Sequence, residues 1–289
     1  MHTPVQREPK YRTAMRLECV TIHQEEGRRM NKQFTKLSTL GVACAMMMSL
    51  AACSGGSMDD SSSSSSSASD SSTITLGAIT TNSGTAAAYG EAEVAGFKLA
   101  VSEINANGGI NGKKVKLESM DDKGDATEAS NAFNKLSGDD SVLGVLGPTI
   151  SATTAAVAPL ADQAKLPAIA PAATSDSIET GGYMFRTCFK DSYQGEIAAK
   201  FAAETLKVKK VAVLYGTGDP YSSGVGKAFA AAAKKNGLQV VDEENSSSAD
   251  DTEYSSQLQK IQASGAEFLY APYYYSVAGP YIIPQARSV

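Results

Sequence analysis

The stretch Gly147–Thr154, GPTISATT, sets hydroxyl side chains at Ser151, Thr153 and Thr154 behind a Gly-Pro pair, after an apolar run and ahead of an alanine-rich segment. The first turn of a helix leaves about four backbone N–H groups without intrahelical partners, and a Ser or Thr cap satisfies only one or two. The remaining donors suit an anion, which the helix dipole also favours. Taken alone, these residues leave Ser151 open between an N-cap and a hydroxyl that meets a bound anion. The acidic run DDKGD, Asp121–Asp125, lacks the spacing and closing Glu of a calcium-binding EF-hand loop and reads as a solvated loop. Asp191 reads as a helix N-cap. No Gly-x-Ser-x-Gly elbow, Walker loop or dinucleotide fingerprint occurs, so binding is expected rather than catalysis.

What can surround such a site is bounded by the N-terminal third. From Met30 the chain runs MNKQFTKLSTLGVACAMMMSLAACSGGS: Lys32 and Lys36 form a positive region, and Leu37–Leu50 an apolar one of signal-peptide length. It falls short of the roughly 20 apolar residues a membrane span needs. Leu50–Cys53, LAAC, resembles a bacterial lipobox, which implies that Cys53 is acylated and becomes the first mature residue. Residues 1–29 are then read as a non-native upstream extension and 30–52 as a lipoprotein signal peptide. The Ser-, Gly- and Asp-rich 53–73 is read as a flexible tether that buries too little apolar surface to fold. Removing 1–52 discards His2, His23, Cys19 and Cys44, leaving Cys53 and Cys188. With Cys53 acylated no internal disulfide can form, and no His-based triad or imidazole zinc site remains. No metal and no cofactor is expected. Residues 53–289 carry 18 Lys and Arg against 27 Asp and Glu, a balance that argues against a nucleic-acid partner.

The elements that must position these residues follow from periodicity. Short apolar runs beginning at Ile74, Lys114, Ser141, Leu166, Tyr183, Lys210, Leu238 and Glu267 read as strands. Stretches with helical spacing lie between them, several closed by Gly. Alternation of this length predicts βαβ units and parallel sheets flanked by helices. The break at Ala172–Gly182 divides the chain into a lobe 1 over 74–190 and a partial lobe 2 over 191–289, which closes inside a helical pattern.

Ala100–Leu136, with its Ile-Asn-x-x-Gly-Gly-Ile-x-Gly turn and following Asp-Asp, resembles the signature of the leucine/isoleucine/valine-binding family of ABC-transporter substrate-binding proteins. Gly147–Thr174 and Phe185–Phe201 resemble that family's ligand-binding stretch and crossover. The resemblance implies a two-lobe type I periplasmic-binding fold closing on a ligand, in a longer chain of which this one lacks the C-terminal part. It implies that Ser151 binds an amino acid's α-carboxylate through hydroxyl and N–H. The Ala172 carbonyl and Thr174 hydroxyl would meet its ammonium, and the Thr174 N–H its carboxylate. Tyr89 would wall the side-chain pocket and Tyr221 close from lobe 2. One tyrosine of Tyr273–Tyr275 would enter the cleft, Tyr273 and Tyr274 being tied and Tyr274 taken as the candidate. The family's acidic ammonium partner falls past Val289. The implied protein is a monomeric, extracytoplasmic, lipid-anchored receptor that delivers a small amino acid, branched-chain in the leading reading, to a membrane permease of an ABC transporter. The alternative is a ligand-sensing receptor domain of the same fold for amides, urea or other small polar ligands.

Overall fold

The computed structural model describes residues 73–179, 181–248 and 250–289; the expected upstream extension, signal peptide, Cys53 acylation site and most of the tether lie outside them. Lobe 1 is built on one sheet of β1 (Thr73–Thr80), β2 (Lys114–Asp121), β3 (Val142–Leu146), β4 (Ala168–Ala170) and β5 (Met184–Arg186). Lobe 2 is built on a second sheet of β6 (Lys210–Gly216), β7 (Gln239–Ser246) and β8 (Phe268–Tyr270). All strand pairings in both are parallel. Parallel neighbours require crossover connections. Here these are α1 (Ala87–Ala106), α2 (Ala126–Ser137), α3 (Ser151–Ala164), α4 (Asp191–Lys200, continued by a π-helical stretch Phe201–Leu206), α5 (Pro220–Lys235) and α6 (Ser255–Ala263). Short helical segments between Tyr275 and Ala286 follow β8.

β6, KVAVLYG, shows why the apolar runs become central strands. Val211 and Val213 pack with Phe229 and Ala233 of α5, while Ala212 and Leu214 face Tyr254, Leu258 and Ile261 around α6. Both faces are covered, so a continuous apolar run is required rather than an alternating one. In lobe 1, Ile79 and Val145 pack with Phe133 and Leu136 of α2 and Val157 and Ala161 of α3. The start of α2 is fixed by Asp125, whose carboxylate accepts from the Thr127 and Glu128 N–H groups at 2.8 and 2.9 Å.

Strand order decides where a ligand can sit. Lobe 1 runs β2-β1-β3-β4-β5 and lobe 2 runs β7-β6-β8, so β1 and β6 each have a neighbour reached in opposite directions. At such a switch point the loops leaving the strands diverge and open a crevice at their carboxyl ends. Ser151 follows β3, Thr174 follows β4, Tyr221 follows β6 and Tyr274 follows β8.

Candidate functional site

Those strand ends enclose a cleft of about 180 Å³ lined by Tyr89, Thr149, Ile150, Ser151, Ala172, Thr174, Phe189, Gln194, Tyr221 and Tyr274. Drug-sized ligands occupy roughly 300–1,000 Å³, so this space suits a molecule of amino-acid size. All six residues expected from sequence to bind ligand line it.

The β3–α3 turn depends on Gly147. Its φ is +113°, and a Cβ there would lie 1.9 Å from the Ile79 carbonyl oxygen, so only glycine lets the turn pass against β1. Ile150 holds the N-cap position of α3 without a side-chain bond, so Ser151 is the first helical residue rather than the cap. The first helical bond runs from the Thr154 N–H to the Ile150 carbonyl at 3.0 Å, leaving the amides of Ser151, Ala152 and Thr153 ahead of the ladder. Thr153 and Thr154 turn their hydroxyls back to the Ile150 and Pro148 carbonyls at 3.1 and 3.2 Å. They brace the turn. The buried Ser151 hydroxyl instead accepts from the Ser175 N–H at 3.2 Å, which ties the ends of β3 and β4 together. A hydroxyl that accepts there keeps its own hydrogen to donate into the cleft.

The loop after β4 is held by groups arriving from β5 and the α4 start. The Pro171 carbonyl accepts from Thr187 Oγ1 at 3.3 Å, and the Ala173 carbonyl from Cys188 Sγ at 3.2 Å. The Thr174 carbonyl takes the Arg186 guanidinium at 2.8 Å and the Asp191 N–H at 2.9 Å. Among the described residues the Ala172 carbonyl accepts no such bond, and Ala172 lines the cleft.

From lobe 2, Tyr221 enters α5 just after Asp219, whose carboxylate caps the helix through the Ser222 N–H at 2.8 Å. Its ring packs on Tyr274 with centroids 5.1 Å apart, and Tyr274 meets Tyr89 edge-on at 6.3 Å. Burial pushes the Tyr221 phenol up to about 12 and raises Tyr274 well above the usual tyrosine value. The Ser151 N–H opposes the Tyr274 shift. Both rings are therefore neutral hydrogen-bonding groups across the physiological range. The tyrosine tie resolves by packing. Tyr273 lies in the lobe 2 core, its hydroxyl sharing a hydrogen bond with Ser246 Oγ at 2.9 Å and its ring edge-on to Tyr254. Tyr275 donates no wall to the cleft, but its phenol oxygen accepts from the Ala88 N–H at 3.2 Å at the start of α1.

Two expectations about acidic residues need correction. Asp191 is not a cap: α4 begins at Asp191 itself, with Lys190 at the cap position and no capping bond from Asp191. That work falls to Asp176, which accepts from the Ser192 N–H at 2.9 Å and the Ser192 hydroxyl at 2.8 Å. The Asp121–Asp125 run is only partly solvated, because Asp122 is fully buried and accepts from Thr81 Oγ1 at 2.6 Å and the Gly124 N–H at 2.9 Å. It anchors a network beneath the β3–α3 turn. The Thr81 N–H donates to Thr149 Oγ1 at 3.0 Å, and Thr149 donates to Glu93 Oε2 at 2.6 Å. Burial, aided by Asp122, pushes Glu93 up to about 7, and only the Thr149 bond opposes it. Thr149, Ile150, Phe189 and Gln194 were not anticipated as cleft residues. Gln194 sits one helical turn after Asp191, a spacing that places both on the first turn of α4.

The family model described as periplasmic binding protein matches residues 73–288. The chain belongs to the periplasmic binding protein family. An amino acid binding protein of Pseudomonas aeruginosa is 33% identical over 211 residues, which is 72% of this chain and 56% of that protein. The Leu/Ile/Val-binding protein homolog 3 of Brucella melitensis is 33% identical over 208 residues, covering 71% of this chain and 56% of its own. Among solved structures, the branched-chain amino acid transporter substrate binding protein LivJ of Streptococcus pneumoniae, in complex with isoleucine, superposes with a TM-score of 0.69 at 36% identity, over 75% of this chain and 61% of that one. This chain thus spans little more than half the length of these relatives. The family consists of solute-binding proteins, and its type I fold accounts for the parallel sheets and flanking helices seen here.

Proposed function

We propose that the protein is the extracytoplasmic solute-binding component of an ABC importer, holding a small amino acid between its lobes and delivering it to the permease without chemical change. The convergence of the α3 amides, the Ser151 hydroxyl, the free Ala172 carbonyl and Thr174 on one small cleft carries this reading. An amino acid's head group needs donors for a carboxylate and acceptors for an ammonium a few ångströms apart, and this site offers both. The aromatic walls at Tyr89, Tyr221 and Tyr274 suit an aliphatic side chain, and branched-chain amino acids are the favoured class. Closing the cleft removes water, so the charged contacts act in a lower dielectric than in the open form. Acylation at Cys53 would hold the monomer at the membrane beside its permease. Among the described residues no helix is long and apolar enough to cross a membrane.

Titration calorimetry of the complete polypeptide against the twenty amino acids tests the reading. Saturable 1:1 binding of aliphatic members, with the amino acid recovered unchanged, is the expected outcome. Binding only of amides or urea would move the protein to the sensor class.

A further inference from the structure

Asp191 is fully buried at the junction of the two lobes, and both its carboxylate oxygens are shielded from solvent without a hydrogen bond of ordinary geometry. An isolated buried carboxylate is expensive unless an opposite charge or donors compensate it. On this side of the cleft the described cation is Arg186, whose Nη1 and Nε go to the Thr174 and Ala173 carbonyls and to Glu179 while its buried Nη2 has no hydrogen-bond partner. Its charge favours the ionised Asp191, against the negative charge that Asp176 and Asp219 add. Within lobe 2, α5 packs over the group at Gly224, where an added Cβ would lie 2.7 Å from Asp191 Oδ2 and would displace that carboxylate. Burial pushes the carboxyl up to about 6, and the Thr174 hydroxyl is the neighbour that most favours the charged form.

Thr174 lines the cleft, and its carbonyl accepts from the Asp191 N–H at 2.9 Å, which sets the two residues side by side. A threonine hydroxyl has one hydrogen and two lone pairs. If the hydrogen is directed at Asp191, only acceptor capacity faces the ligand, beside the free Ala172 carbonyl. That arrangement favours a cationic donor and disfavours an anion. We propose that Asp191 is the positioning residue for the ligand's amino group: it fixes the Thr174 hydroxyl as an acceptor and supplies, from behind, the negative charge that selects a cationic ammonium over a neutral substituent. The proposal rests on the amino-acid reading of the cleft, and adds to it a determinant inside lobe 1 and α4.

Calorimetry with L-leucine and with L-2-hydroxy-4-methylpentanoate, which replaces the ammonium by a hydroxyl, separates the two. Wild type is expected to prefer leucine strongly. Asp191→Asn keeps the shape and removes the charge; it is expected to weaken leucine about ten- to hundredfold while changing the hydroxy acid less than about threefold. Thr174→Val should produce a similar selective loss, and adding Asp191→Asn to it should cause little more, because the two act as one unit. Melting temperatures of the variants equal to or above wild type would show that folding is intact. Equal losses for both ligands, no loss, or additive losses in the double variant would overturn the proposal and leave the amino-acid reading standing. A wild type that binds neither compound would sink both.

Discussion

Lobe 1 reaches the cleft with Ser151, Ala172 and Thr174, on turns tied by the Ser175–Ser151 and Arg186–Thr174 hydrogen bonds, whereas lobe 2 reaches it with the phenol rings of Tyr221 and Tyr274 packed 5.1 Å apart. The difference is one of tolerance. Charged head groups demand donors and acceptors at fixed positions, and a turn tied by Ser151–Ser175 and Thr149–Glu93 bonds supplies them before the ligand arrives. Rings provide area and exclude water, and a neighbouring ring can adjust when one is altered. Under the proposed function, head-group recognition falls to lobe 1 and closure over the side chain to lobe 2.

Breaking the lobe 1 scaffold should have the largest effect. Gly147→Ala forces a Cβ against the Ile79 carbonyl at a φ of +113°, and is expected to destabilise the fold by about 3 kcal/mol or more and to abolish binding. Chemical denaturation and calorimetry would read both. Next, Ser151→Ala removes a donor to a charged group and the bond from Ser175, with an expected loss of about 1.5–3 kcal/mol in affinity. On the lobe 2 side, Tyr221→Leu or Tyr274→Leu keeps apolar area and removes ring contacts, so affinity should fall only about three- to tenfold. A lobe 2 variant that cost as much as Ser151→Ala would erase the distinction between the lobes.

The smallest effect concerns stability. Glu93 titrates near 7 in the fold, above its ordinary carboxylate value, so its contribution is fully present below the unfolded value and is lost as the pH rises through about 7. Asp122, Asp191 and Asp219 are raised by burial as well and push in the same direction. Glu93→Gln retains an acceptor for Thr149 without the charge. Its melting temperature should exceed wild type by roughly 2–6 °C at pH 8, with the gap closing near pH 5. Scanning calorimetry at the two pH values would check this, and a gap that widened at low pH would contradict the assignment.

Much of this arrangement is written locally in the chain. The runs from Ile74 to Glu267 became strands because each is apolar enough to be covered on one or both faces, and the Gly-Pro turn before Ser151 marks a helix start whatever its neighbours do. Residues whose role depends on packing against distant parts of the chain were not readable. Phe189 and Gln194 line the cleft only because α4 lies beside α5 and the tyrosines of lobe 2. Tyr273 and Tyr274 are indistinguishable as neighbours in sequence, since a one-residue difference in the β8 loop decides which enters the core. Asp191 was misread for a similar reason: Lys-Asp-Ser ahead of a helix is a capping signal, but Asp176 reaches across from another loop and takes the role.

The most direct test of the central claim is the affinity of the Ser151→Ala/Thr174→Ala double variant for whichever amino acid the wild type binds most tightly, measured by calorimetry beside a melting curve. A loss of roughly 10²–10⁴-fold with an unchanged melting curve is predicted, as two contacts to charged groups disappear together. Affinity within about threefold of wild type, in a folded variant, would show that the head group is held elsewhere.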